Sequence, residues 1–442
     1  MSLPSKPLYT RDQPFYEVKI FGYFIYALLF NSNVLYQFKS LSFVSALMSI
    51  GLPFVLISSM VYYYYKIFAL KQINRVDLVV VLFMLVPIYN AIVVHYTLDQ
   101  PLLKALYRLG GSLFVTSSSF IYYLIRINKM TIKQYVLANV VLCWFTLLFY
   151  SYISFTVNPA TFSDGSSEGL VGYNPVKGGY IFRFSSSFLM FGMVYYFLEY
   201  ILNDKFTGLF AFLILCAYQV FVDKGRSEFI SEMIPLFLYM FVVLKWHQTA
   251  KKLLQMGGII GFICLVLYFV YPEALKFTAD MYIVFAKFLL GQKTGEGSAD
   301  VRWEEMAAVY NYFLRHPTHI FFGIGCPKKL VMMLEVGNVT LGDIGIVGGL
   351  LSNGIVGVLV INSVFLYPIY VAYKMQVYKR NIYFNTGLLG ICSIFIQSLF
   401  GGTIYSGGFG FILFFLIVEY YRAKEQQYLK AVAINPNAKI QK

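Results

Sequence analysis

The chain has 442 residues, of which 59% are hydrophobic, 19% aromatic and 13% charged, with a mean hydropathy of +0.66. Soluble globular chains carry about a quarter charged residues, so this composition excludes an ordinary soluble enzyme, a disordered chain and a disulfide-built secreted module. The 35 Lys and Arg against 21 Asp and Glu leave a formal charge of +14. In a membrane protein such an excess collects at cytoplasmic helix ends, so it argues for topology and not for a nucleic-acid partner.

The chain opens MSLPSKPLYTRDQPFYEVK, polar for about twenty residues and without a small-residue cleavage site, so the first helix is expected to be retained. A bilayer core about 30 Å thick needs roughly 20 apolar residues per helix. Such runs occur near 20–38, 41–65, 76–96, 103–125, 135–157, 182–202, 206–222, 229–245, 256–275, 345–373, 381–400 and 404–421. The reading is a single all-α domain over 1–442, a polytopic transmembrane bundle of about twelve helices. The first run is interrupted by Asn31, Ser32, Asn33 and Gln37, which leaves a re-entrant or surface helix as its alternative. With the amino terminus inside, the alternate short loops carry Lys66, Lys71 and Arg75; Arg126, Lys129 and Lys133; Lys205; Lys245, Lys251 and Lys252; Lys374, Lys379 and Arg380. That basic bias is expected to place both termini on the cytoplasmic side. Of the five cysteines only Cys326 falls in an outward segment, and no Cys/His cluster suggests a metal.

Two outward segments exceed what a connection needs. The first, 158–181, is rich in Gly, Ser, Asn and Pro and reads as a loop. The second, 276–344, is too long for an idle connection, which makes it the functional suspect. Within it Trp303, Met306, Ala307, Tyr310, Phe313 and Leu314 recur at helical spacing, with Glu304, Glu305, Asn311 and Arg315 opposite. This predicts an amphipathic helix that lies on the membrane surface or caps the bundle. His316-Pro317 ends it, and Gly323-Ile324-Gly325 makes a turn whose backbone can approach a ligand closely.

Three arginines sit on the outward side against the basic-inside trend: Arg183 at the start of the sixth run, Arg226 in the KGRSE stretch after Lys224, and Arg302 opening the amphipathic helix. Each alone reads equally as an interfacial side chain reaching headgroups. Together they point to a shared anionic ligand, and the planar guanidinium suits pyrophosphate oxygens. Asp343, at the outward start of the tenth run, is either a helix cap or a general base beside those cations. Gly342, Gly345, Gly348, Gly349, Gly354 and Gly357 predict a smooth, closely packed helix there.

In this order the features resemble the O-antigen and exopolysaccharide polymerases of the Wzy type, in the superfamily of the O-antigen ligases. The matching residues are Arg183, Lys224 to Ser227, Arg302-Trp303, His316-Pro317, Gly323-x-Gly325 and the glycine-rich helix that follows, over roughly 180–360. The resemblance implies a GT-C-like membrane glycosyltransferase, working without a metal or other cofactor on undecaprenyl-pyrophosphate-linked oligosaccharide at the outer leaflet. It implies inverting transfer of a growing glycan onto a new lipid-linked repeat, and a chain-length regulator in the membrane as partner. Arg183, Arg226, Arg302 and Lys224 would hold pyrophosphate, with Asp343 or His316 as catalytic base and Gly323 and Gly325 near the substrate. Ligases generally carry a histidine where this chain has Asp343, which favours polymerase; His319, Glu228, Glu304 and Glu305 are further bases. The rival is a transporter or flippase of lipid-linked oligosaccharide. Such proteins bind near the midplane, often at broken helices, and the chain shows few midplane charges and no obvious half-repeat.

Overall fold

The structure, a computed structural model, describes Tyr23, Val61, Tyr65 and residues 74–102, 117–126, 130–158, 171–174, 179–182, 187–223, 226–270, 272–292, 297–325, 331–334, 337–341, 344–400 and 408–434. The predicted runs 20–38 and 41–65 lie outside the described residues except for Tyr23, Val61 and Tyr65.

The first described helix, α1, spans Arg75–Leu98 and begins at a reciprocal cap: the Asn74 side chain accepts from the Asp77 N–H at 3.0 Å and Asp77 Oδ2 accepts from the Asn74 N–H at 2.9 Å. After α2 (Ser117–Arg126), α3 (Ile132–Thr156) starts in the same way on Thr131 and Gln134. The chain then forms a hairpin of β1 (Val171–Asn174) and β2 (Gly179–Phe182), paired antiparallel with Val171 opposite Phe182. Next come α4 (Ser187–Asn203) and α5 (Phe206–Tyr218), which runs into a π-helical turn, Gln219–Asp223. The sequence continues through α6 (Arg226–Val243), α7 (Trp246–Val270) and α8 (Pro272–Leu289). The long outward segment contributes α9 (Gly297–Arg315), the short α10 (His319–Phe322) and a hairpin of β3 (Val331–Leu334) and β4 (Gly337–Thr340). Three long helices end the fold: α11 (Gly345–Lys374), α12 (Ile382–Phe400) and α13 (Gly408–Ile434).

Among the described residues five helices are long and apolar enough to cross a membrane: Ile132–Thr156, Phe206–Asp223, Trp246–Val270, Gly345–Lys374 and Ile382–Leu399. These helices make an all-α membrane bundle, since a helix satisfies its backbone groups within its own segment inside lipid. The core runs through α3, α4, α5, α6, α12 and α13, with Tyr135, Phe191, Phe197, Phe212, Phe384 and Phe411 fully enclosed. Phe191 and Phe414 stack at 5.2 Å between centroids, and Gly390 of α12 is pressed so flat against the Phe414 ring that an added Cβ would overlap it. By contrast only 6% of the apolar window of α7 is covered by protein, so this helix needs lipid around it.

The predicted boundaries shift where caps, turns and kinks override hydropathy. The ninth run, 256–275, begins earlier, at Trp246, and breaks after Val270 into α8. The last run extends past 421 to Ile434. Segment 276–344 is largely ordered: Ala308, Val309, Ile324, Val339, Leu341, Ile344 and Leu351 form a second small core that seats it on the start of α11. The face of α9 used for this differs from the predicted one. Glu305, Ala308 and Val309 point inward, while Ala307, Tyr310 and Leu314 are exposed. The predicted stripe is therefore split: Met306 and Phe313 pack against the small core beside Ala308 and Val309, and Trp303, Ala307, Tyr310 and Leu314 form the outer surface.

Candidate functional site

The outward segment is anchored at a break in α11. Predicted to be smooth, this helix is interrupted at Gly354, whose φ of 62° and ψ of −178° no helix allows. At 1.5 Å per residue the break lies about 14 Å along the helix from Gly345, roughly half of a ~30 Å bilayer core. A break orphans carbonyls, and here the 323–325 turn takes them: the Ile324 N–H donates to Leu351 O at 2.8 Å and the Gly325 N–H to Ser352 O at 2.9 Å. α1 holds the turn from the other side, the Tyr89 hydroxyl donating to Phe322 O at 2.6 Å and Thr97 Oγ1 to Ile324 O at 2.7 Å. Buried Asn90 donates to Asn353 Oδ1 at 2.6 Å, and Asn353 in turn donates to Gly349 O.

Two glycines make this crossing possible. Gly323 has φ 71° and an added Cβ would lie 2.5–2.6 Å from Ser352 O, Asn353 N and Gly354 N. A Cβ on Gly354 would collide with the Phe321 carbonyl. The predicted turn at Gly323 and Gly325 is thus a backbone-to-backbone seat against α11, which explains the need for glycine without any ligand.

Above the seat lies an aromatic cluster. His316 follows the last residue of α9, as the His-Pro pair predicts, and its ring lies 4.7 Å from that of Tyr312 and 5.5 Å from that of His319. The Tyr312 hydroxyl and His319 Nδ1 are 2.9 Å apart. Loss of solvent, reinforced by His316, lowers the His319 pKa below its ordinary 6.5, so the imidazole is neutral at pH 7.

Arg302 lies one helical turn inside α9, not at its start, and is half-buried; its Nε is enclosed without a hydrogen-bond partner among the described residues. Glu305 is 5% exposed and accepts the Thr340 N–H at 2.9 Å, tying α9 to β4. Its role is structural, while Glu304 is exposed. Arg226 is the first residue of α6 and not part of a loop, and Glu228 lies in the same first turn. Arg183, Lys224 and Asp343 fall outside the described residues. Of the predicted set, then, Arg302, His316, Gly323 and Gly325 share one segment. Tyr312, Asn90, Thr97 and Asn353 were missed, although a polar Asn in an apolar run is itself a legible signal.

At the other ends of the helices several charges are paired, although Arg422 Nη1, like Arg302 Nε, is enclosed without a hydrogen-bond partner among the described residues. Lys252 pairs with Asp204 and lies 3.9 Å over the Tyr200 ring, Lys205 pairs with Glu199 at 2.9 Å, and Arg422 is held by buried Glu419. No cluster of three His, Cys, Asp or Glu suited to a metal occurs among the described residues. No protein-family model and no curated protein matches the chain.

Proposed function

We propose that the chain is a polysaccharide polymerase of the Wzy type, a GT-C-like membrane glycosyltransferase that elongates an undecaprenyl-pyrophosphate-linked glycan at the outer leaflet. The observation that carries this reading is the outward segment itself. Its 323–325 turn is seated on α11 and α1, and it brings an arginine with an unsatisfied nitrogen and a neutral histidine into one unit. An idle connection has no need of either.

In the reaction the acceptor sugar hydroxyl forms a C–O bond to the anomeric carbon of the donor glycan. The bond from that carbon to the pyrophosphate oxygen breaks, and its electron pair leaves with the pyrophosphate. The hydroxyl proton passes to a base, for which the neutral His319 imidazole joins Asp343 and His316. Arg302, with Arg226, Arg183 and Lys224, meets the charge that develops on the leaving group, the role fixed cations fill best in a site of low polarity. Attack from the face opposite the leaving group inverts the anomeric centre.

The test is elongation of lipid-linked repeat units by the purified protein in liposomes. Replacing Arg183, Arg226 and Arg302 singly by alanine is expected to shorten the product, and long chains in all three variants would remove the arginines from the mechanism. An active Asp343→Asn protein removes Asp343 as base.

A second reading, transport or flipping of lipid-linked oligosaccharide, gains support from the break at Gly354, since transporters place substrate at discontinuous helices. Against it, the freed carbonyls of Leu351 and Ser352 are already occupied by the protein's own turn. Movement of lipid-linked repeats across protein-containing liposomes without elongation would select this reading.

A further inference from the structure

A second polar site lies inside the bundle, where α5 passes through its π-turn into α6. Glu232 is 5% exposed and Gln219 6%. Gln219 Nε2 donates to Glu232 Oε2 at 2.9 Å, yet the Oε1 of the same carboxamide is enclosed with no hydrogen-bond partner. On the preceding residue the Tyr218 hydroxyl is also buried without a partner. Asp223, 7% exposed, ends the π-turn, and its charge acts on both Glu232 and Tyr218. Among the described residues Glu232 has no ion-pair partner.

Glu232 is a buried acid with no cation beside it among the described residues, and Gln219 Oε1 is a buried acceptor with no donor. A carboxylate inside a membrane bundle is costly unless a cation accompanies it, and a buried amide oxygen without a donor adds to the cost. The π-turn widens the helix by one residue at this point, a distortion that recurs at functional sites. A small hard cation removes both deficits at once, bound by the free Gln219 Oε1 and a Glu232 oxygen. Oxygen donors of this kind do not select thiophilic metals, and a divalent ion needs more carboxylates than are gathered here.

We propose that Glu232 and Gln219 Oε1, in the field of Asp223, form a binding site for a small monovalent cation, either sodium or a proton, that locks the π-turn between α5 and α6. The site is distinct from the 316–325 crossing, but α8, which opens the 276–344 segment, packs on the π-turn and α6, with Phe229 and Tyr282 in ring contact at 6.5 Å. Its occupancy sets the geometry of the π-turn and of α6, which begins at Arg226.

The experiment measures thermal unfolding of the full chain in lipid nanodiscs, in sodium chloride against choline chloride at equal ionic strength, across a range of pH. If sodium is the guest, it raises the Tm of the wild type where choline does not. The half-saturating sodium concentration then rises up to tenfold per pH unit as protons compete, and E232Q loses the response. Gln219→Ala, which leaves the carboxylate in place, weakens it, and so guards against an E232Q that merely fails to fold. If the proton is the guest, sodium and choline act alike, but the pH profile of the Tm differs between wild type and E232Q. Asp223 and Glu228 act on Glu232, Cys216 feels Glu232, and Lys224 and Arg226 follow in the sequence; of the packed helices α8 carries Glu273, Lys276, Asp280 and Lys287, α7 carries His247, Lys251 and Lys252, α4 carries Glu199, and α12 brings no charged residue. The comparison is therefore made between variants at each pH. Equal sodium and choline responses together with superimposable pH profiles overturn the proposal. Because the readout is stability, a failure of glycan elongation leaves it untouched.

Discussion

A guanidinium nitrogen enclosed without an acceptor costs about 1–3 kcal/mol, and more when charged, a cost that a ligand acceptor would remove. Arg302 Nε is in that position. Replacing Arg302 with lysine preserves charge but not the planar fork, and on a pyrophosphate ligand it is expected to lower elongation at least tenfold while leaving Tm within a few degrees. Activity equal to the wild type would count against a bidentate role. His319 gives a signed pH prediction. Its pKa is lowered in the folded chain, so between that value and 6.5 the unfolded chain binds more protons. The stability it contributes is complete above pH 6.5 and is lost as pH falls through the folded value. If it also serves as base, elongation holds down to pH 6.5 and declines only below it, and His319→Gln removes that acidic decline. Tyr312→Phe, which deletes the hydroxyl 2.9 Å from Nδ1, is expected to shift the limb, read from the pH profile of elongation rate.

At the scale of elements the decisive feature is the crossing of the 323–325 turn with broken α11. A side chain at Gly354 meets the Phe321 carbonyl and a φ of 62° that L residues rarely adopt, a strain of about 1–3 kcal/mol. Gly354→Ala and Gly323→Ala are each expected to lower Tm by several degrees and to expose the 316–325 segment to proteolysis, whereas Gly349→Ala, with only a 3.6 Å contact to Val358, is tolerated. Equal protease resistance in all three would mean that the seat does not hold the segment. The glycine content of this region was plain in the sequence; its meaning was not. A glycine-rich helix reads as smooth packing surface, and only the neighbouring turn decides that one of those glycines breaks the helix. The face of α9 was misread for a related reason. Hydrophobicity favours Trp303, Tyr310 and Leu314 as the buried side, but α9 is rotated so that Ala308 and Val309, flanked by Met306, Tyr312 and Phe313, meet Val339, Leu341 and Ile344.

Over the whole molecule, apolar side chains lie outside as well as inside. On α7, Phe262, Val266, Phe269 and Val270 are exposed, as is Cys264. In lipid that face is dry. A charged maleimide is therefore expected to leave Cys264 unmodified in nanodiscs and to modify it after transfer to denaturing detergent, and labelling in intact bilayers would place α7 outside the membrane. The sequence alone determined that this is a helical membrane chain, because the length of an apolar run and the need to satisfy backbone polar groups act locally and leave no alternative in lipid. It also singled out the outward segment, the His-Pro helix end and the paired glycines, since each is a property of neighbouring residues. Only the tertiary structure decided that α11 breaks at Gly354, that Tyr312, His316 and His319 share a cluster, and that Glu232 meets Gln219. Those depend on which surfaces distant parts of the chain bring together, and a local pattern contains no record of its partner.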